Sequence, residues 1–178
     1  MRKRYHAHMS NLYTIRTIDP RSERELETVT CYSVMTIWES RPELRKDPQR
    51  TPGYSWAETE ARIRAGLRGE AVRILVAADS DGHLVGDSIV VLRHDAKGQT
   101  FGYFWSRYVL PRARRQGLAR QFLTDAMSWF RAKGARYAEV HIHTENHGLR
   151  KLFEGHGFRV VDRGRDNQWS WLILRSDV

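Results

Sequence analysis

Cysteine is almost missing: Cys31 stands alone in 178 residues, so no intrachain disulfide can form and stability must come from packing. Long apolar runs are missing too. The longest, Ile74 to Ala78 and Ser88 to Leu92, are strand-length and fall far short of the roughly 20 residues of a membrane helix. The opening MRKRYHAHMS is basic but lacks the apolar stretch of a signal peptide, so a cytoplasmic location is expected, with residues 1–10 as a flexible basic N-terminus. No G-x-x-x-x-G-K-[ST] or G-x-G-x-x-G motif occurs, which removes the main support for NTPases, kinases and dinucleotide enzymes. HExxH, internal repeats and low-complexity segments are also absent. Acidic residues are in short supply, 21 against 30 Lys and Arg, and the resulting net charge of +9 with a pI near 10.1 points to an anionic partner or to a solvated basic surface. Nucleic acid, a membrane surface and a phosphorylated ligand all fit that charge.

What is present suits one globular domain. The length lies within the roughly 100 to 200 residues of a single core, and 40% hydrophobic residues with six Trp and seven Tyr supply it. Alternation over Leu12 to Ile18 predicts a strand, and three- and four-residue spacing of Leu26, Val29, Val34 and Ile37 predicts a helix from about Ser22 to Glu39. Pro42, Pro48, Pro52 and Gly53 make Arg41 to Ser55 a loop, with a short helix, Trp56 to Leu67, after it. Three strands joined by turns at Ser80-Asp81-Gly82 and Asp95 to Gly98 read as an antiparallel meander. An amphipathic helix, Gly117 to Lys133, leads to the strand Arg136 to His143, predicting a parallel crossover. A helix over Asn146 to His156 and strands near Phe158 to Asp162 and Gln168 to Leu174 complete the order β-α-α-β-β-β-α-β-α-β-β. That is an α+β domain with a mixed sheet.

The most informative stretch is YVLPRARRQGLARQFL, residues 108 to 123: a strand, a basic loop with a glycine, then an amphipathic helix. A helix start carries unpaired N–H groups and the positive end of the helix dipole, and small residues there let phosphate approach. Gly117 and Ala119 supply the small positions and Arg112, Arg114, Arg115 and Arg120 the charge. Val109-Leu110-Pro111 followed by Arg114-Arg115-Gln116-Gly117-Leu118-Ala119 resembles the signature of the GNAT acetyltransferases, [QR]-x-x-G-x-[GA] after a strand ending V-x-P. A second segment, Asn146 to Phe158, resembles the family's N-x-x-A-x-x-[LF]-Y-x-x-x-G-F, with Phe153 where the tyrosine stands.

The resemblance implies the GNAT fold, a mostly antiparallel mixed sheet of six to seven strands flanked by about four helices. It implies acetyl-CoA as cosubstrate, with Val109 and Leu110 beside the pantetheine arm. Arg114, Arg115, Gln116, Gly117, Leu118, Ala119 and Arg120 would surround the diphosphate, Asn146 would complete the cofactor site, and no metal is implied. The acceptor would be an amine, either a small molecule or a peptide or protein N-terminus or lysine, shaped by Trp38 to Trp56 and Arg163 to Trp169. Aromatics there, Trp38, Tyr54, Trp56, Trp105 and Trp169, are candidates for a slot, and Glu39, Glu43 and Asp47 for a cationic amine. Many relatives dimerise.

Acetyl transfer needs a neutral amine and hence a base. Where some GNAT members that acetylate protein N-termini carry a glutamate, this chain has His141, a residue able to accept a proton at neutral pH. The competing reading makes His141 a buried, hydrogen-bonded strand histidine. Glu139 and His143 share its strand face by two-residue alternation and are alternatives, as are Glu145, Glu39 and Glu43. Phe153 has no proton to give the leaving thiolate, which leaves Tyr103, Tyr108, His156 or water as donors. Three other readings stand beside the enzyme: a histidine metal cluster through His141, His143 and His147, a basic nucleic-acid-binding protein, and a non-catalytic acetyl-CoA-binding regulator. Neither the metal reading nor the nucleic-acid reading has a recognisable binding motif, so a nucleic-acid partner is not expected.

Overall fold

The computed structural model describes residues 12–40, 55–69, 71–165 and 169–178. The basic N-terminus, nearly all of the proline-bearing loop with Glu43, Asp47 and Tyr54, and positions 166–168 lie outside the described residues. Strand β1 is Thr14–Thr17, and helix α1, Glu23–Ser40, follows it. The Ser22 hydroxyl accepts from the Glu25 amide at the start of α1. Helix α2, Trp56–Leu67, opens on a reciprocal cap: the Ser55 side chain accepts from the Glu58 amide and the Glu58 carboxylate from Ser55. Such a cap contributes about 1 kcal/mol to helix stability. Strands β2 (Val72–Ala78), β3 (Leu84–His94) and β4 (Thr100–Val109) form the expected meander. Helix α3 (Leu118–Ala132), strand β5 (Tyr137–His143), helix α4 (His147–Glu154) and strands β6 (Arg159–Arg165) and β7 (Ser170–Asp177) complete the expected order.

The seven strands form one sheet in the order β1-β2-β3-β4-β5-β7-β6, in which β4 and β5 are the single parallel pair. Helices α1 and α2 cover one face, where Leu26, Val29 and Ile63 pack on Ile74, Val76 and Ile89. Helices α3 and α4 cover the other, where Leu123, Ala126, Phe130 and Phe153 meet Phe104, Ala138, Val140 and Ile142. Gly102 is where α3 comes closest, since a Cβ there would lie 2.3 Å from the Phe130 ring.

The final hairpin begins and ends later than the hydrophobic pattern predicts, because charged residues are part of it. β6 is an edge strand, and Arg159, Asp162, Arg163 and Arg165 point outward along it. Charge on an edge strand blocks pairing with another chain and is well tolerated there. Gly164 then admits the Trp171 ring at a distance no Cβ would allow.

Candidate active site

The sheet divides at its parallel pair. β4 and β5 pair only from Phe101–Tyr137 to Phe104–Val140, after which β4 stays with β3 as far as Val109 and β5 stays with β7 as far as His143. The division coincides with a bulge. Val90 pairs with Phe104 and Ile89 with Ser106, so Trp105 is an extra residue in β4. A bulge bends its strand and exchanges the faces of the residues beyond it. Trp105 and Ser106 consequently both lie on the α1/α2 side, and Arg107 is delivered to the α3/α4 side, with its guanidinium 4.8 Å from the Phe153 ring centroid.

A cavity of about 270 Å³ occupies the gap and is lined from both faces of the sheet. Ser33, Thr36, Thr59, Tyr103, Ser106 and His141 line it from the α1/α2 side. Phe104, Arg107, Val140, Asn146 and Leu149 line it from the α3/α4 side. Several of its polar groups are buried without a hydrogen-bond partner among the described residues: the hydroxyls of Ser33, Thr59 and Ser106, and Nη1 of Arg107. Each such group costs about 1–3 kcal/mol if left unpaired, so a bound polar molecule is favoured there.

At the outer end of β4 the chain makes a short 3-10 turn, Pro111–Ala113, and then enters α3 through Gly117 at φ 84°. Arg115, at φ 64°, is the one described non-glycine residue with a positive φ. Among the described residues no side chain caps α3, which leaves its first-turn amides unclaimed by them. Gln116, Leu118 and Ala119 lie around this start, and Arg115 and Arg120 are exposed beside it.

Arg114 behaves differently. Its guanidinium is held by both carboxylate oxygens of Glu39, at 2.9 and 2.8 Å, and its Nε donates to the Val109 carbonyl at 2.8 Å. The Leu110 amide is spent on the Val85 carbonyl, which turns it into the sheet. Strand alternation then sends the Val109 amide to the open edge of β4. Asn146 caps α4, its side chain accepting from the Leu149 amide at 3.1 Å.

Glu139 and His141 meet on the α1/α2 face. Nε2 of His141 lies 2.7 Å from one Glu139 oxygen, and Nε of Arg175 donates to the other at 2.6 Å. The His141 side chain is 37% exposed at the cavity wall while that of Glu139 is 8% exposed, so the expectation of a buried histidine does not hold. Burial alone would push the Glu139 carboxyl up, but the hydrogen bonds from His141 and Arg175 outweigh it and hold it below the usual Glu value. An ionised carboxylate only accepts, so Nε2 of His141 carries the hydrogen and Nδ1 is left as the proton acceptor. His143 accepts from the Glu145 amide and stacks on Trp169 at 6.0 Å, while His147 is exposed and turned to Glu145.

A family model described as the acetyltransferase (GNAT) family matches residues 35–158. The chain belongs to the GNAT family. Over 65 residues it is 34% identical to the GCN5-related N-acetyltransferase 6, chloroplastic, of Arabidopsis thaliana. That match spans 36% of this chain and about a quarter, 23%, of the plant protein. Among solved structures, an N-acetyltransferase from Staphylococcus aureus Mu50 aligns with a TM-score of 0.71 at 19% identity, covering 93% of this chain and 98% of that one. Arabidopsis thaliana NAA60 in complex with acetyl-CoA aligns with a TM-score of 0.65 at 15% identity, covering 93% and 98%. The NatC complex bound to Gag peptide and CoA aligns with a TM-score of 0.67 at 18% identity over the same shares. At these identities the likeness is one of fold, and it agrees with the mixed sheet read from the sequence. No described helix is long and apolar enough to cross a membrane.

Against the GNAT pattern, Phe153 is fully buried in the core and faces Phe104 and Phe158. Of the proton donors considered in its stead, Tyr108 donates to Glu39 at 3.0 Å and His156 has its Nδ1 2.7 Å from the Leu152 carbonyl. Tyr103 does line the cavity, edge-on to His141 at 5.2 Å. Trp105 and Trp169 of the aromatic candidates line it as well, whereas Trp56 is 44% exposed. Arg107, Ser33, Thr59 and Ser106 are the residues of the site that sequence reasoning missed. Two-residue alternation along β4 would set Ser106 with Phe104 and Arg107 with Tyr103, and the bulge at Trp105 exchanges both.

Proposed function

We propose that the chain is an acetyl-CoA-dependent N-acetyltransferase acting on a primary amine by direct attack on the thioester. The carrying observation is the divided sheet: β4 and β5 part beyond Phe104–Val140, the cavity in the gap is walled by His141, and β4 leads through a short turn to the uncapped start of α3. Acetyl-CoA and CoA are bound in two structures of the same fold, which supports that cosubstrate.

Acetyl-CoA supplies an activated acetyl group and a thiol leaving group. The amides at Gly117 to Arg120, with Arg115 and Arg120, hold the diphosphate at the positive end of α3. The open Val109 amide orients the arm along β4. His141 takes the amine's proton at Nδ1, and Glu139, fixed from behind by Arg175, positions the ring and its tautomer. The acceptor enters from the α1/α2 side, where Trp105, Trp169 and the hydroxyls of Ser33, Thr59 and Ser106 contact it.

Calorimetric titration with acetyl-CoA, followed by a screen of small amines and peptide N-termini for release of free thiol, tests this reading. Binding with amine-dependent thiol release is expected. Absence of binding overturns the reading, and binding without release to any amine leaves the chain an acetyl-CoA-binding regulator.

A further inference from the structure

We propose that Arg107 is a catalytic residue whose guanidinium receives the sulfur of the departing thiol. The assignment rests on the acetyl-transfer reading and goes beyond it by naming what neutralises the leaving group. Acyl transfer from a thioester develops negative charge on sulfur, and a preorganised cationic donor in a dry site stabilises such charge far better than water does. Two arginines line the cavity among the described residues. Arg62 is exposed and lies 5.7 Å from the Trp105 ring on the α1/α2 side. Arg107 lies on the other side, stacked on Phe153 and 5.9 Å from Phe104, with Nη1 buried and without a hydrogen-bond partner among the described residues.

A buried charged donor with no acceptor is costly, and a fold that retains one has a use for it. Its side of the sheet matters. The start of α3 lies on the same face, with Leu118 and Phe122 packed on Leu75, Ala77 and Val85, so a carrier bound by its phosphates reaches the gap from the Arg107 side. His141 reaches it from the opposite side. Base and leaving-group cation thus flank the gap, one for each partner of the transfer.

The step balances. The amine nitrogen bonds to the acetyl carbonyl carbon, the C–S bond breaks, and its electron pair leaves on sulfur. The amine's proton passes to Nδ1 of His141. The thiolate accepts a hydrogen bond from Nη1 of Arg107 and takes a proton from water on release. Burial pulls Arg107 down to about 10, against the opposing field of Asp87 on β3, so it remains a cation at neutral pH and acts by charge and hydrogen bonding.

Two variants test the assignment. Arg107→Met keeps the bulk and removes the charge, and Arg107→Lys keeps the charge and loses the planar fork. For Arg107→Met, kcat is expected to fall about 100-fold, with the KM for acetyl-CoA within about 3-fold. Arg107→Lys is expected to lose about 10-fold and carries the test if the methionine variant does not fold. The second readout needs no turnover: the thiol of bound CoA is titrated by its ultraviolet thiolate absorbance. On the wild type it should ionise at least about one pH unit below the free thiol's value near 8.5, and on Arg107→Met it should return to that value. Equal thiol titrations, or a kcat within about 3-fold of wild type, overturn the role of Arg107 while leaving acetyl transfer intact. Failure of the wild type to bind CoA overturns both.

Discussion

Nε2 of His141 and Oε1 of Glu139 lie 2.7 Å apart, two positions along one strand, with the carboxylate buried beneath the ring and the ring open to the cavity. In the proposed reaction this pairing makes His141 a directed base, because the carboxylate fixes which nitrogen carries the hydrogen. His141→Ala is expected to lower kcat by about 100-fold or more with little change in acetyl-CoA affinity. Glu139→Gln should cost about 10-fold, since it keeps the contact and loses the charge. Nitrogen chemical shifts of the imidazole give the independent readout: a single tautomer in the wild type and a mixture in Glu139→Gln. Full activity in His141→Ala removes the base assignment.

Arg114 lies in the basic loop and Arg120 in the first turn of α3; the first is committed to Glu39 and the second is exposed. Arg120→Ala is therefore expected to weaken CoA binding about 5- to 10-fold and to reduce its salt dependence. Arg114→Ala should change CoA affinity by less than about 2-fold, and its effect should appear instead in the acceptor KM, because its partner Glu39 adjoins Ser40, the last residue of α1, at the cavity wall. Calorimetry on the two variants distinguishes them, and equal losses of CoA affinity contradict the geometry.

The order of elements was readable because β- and helix-period patterns are local, and the start of α3 was readable because its glycine and arginines are contiguous. Other parts of the site are not local. The Arg114–Glu39 pair joins residues 75 positions apart. Arg107 faces Phe153 only because of the bulge at Trp105, and no residue type marks that bulge in the sequence. Alternation placed Glu139 and His141 on one face but not their difference in burial, which depends on Arg175 of β7 and the end of the parallel pairing.

Burial pushes the carboxyl of Asp87 well above the ordinary value of 3.8, with the Tyr108 amide and Arg107 pulling against it. The folded chain thus keeps this proton at a pH where the unfolded chain has released it. Its contribution to stability is full below pH 3.8 and falls as pH rises through the raised folded value. Asp87→Asn removes that dependence. Urea denaturation from about pH 4 to about pH 8 should show the variant gaining on the wild type as pH rises, and parallel curves would contradict the assignment.

Gly102 tests the packing beneath the site. Gly102→Ala sets a methyl group 2.3 Å from the Phe130 ring and should destabilise the fold by about 1–3 kcal/mol. Because α3 bears on that point, CoA affinity should fall with stability. A variant as stable as the wild type in denaturant titration would show that α3 does not pack as described.

The most direct test of the divided-sheet site is the crystal structure of the chain with CoA bound. The diphosphate is expected on the amides from Gly117 to Arg120, and the sulfur in the gap between β4 and β5, against Nη1 of Arg107 and across from His141. A diphosphate bound elsewhere, or a sulfur outside that gap, would contradict the divided-sheet site.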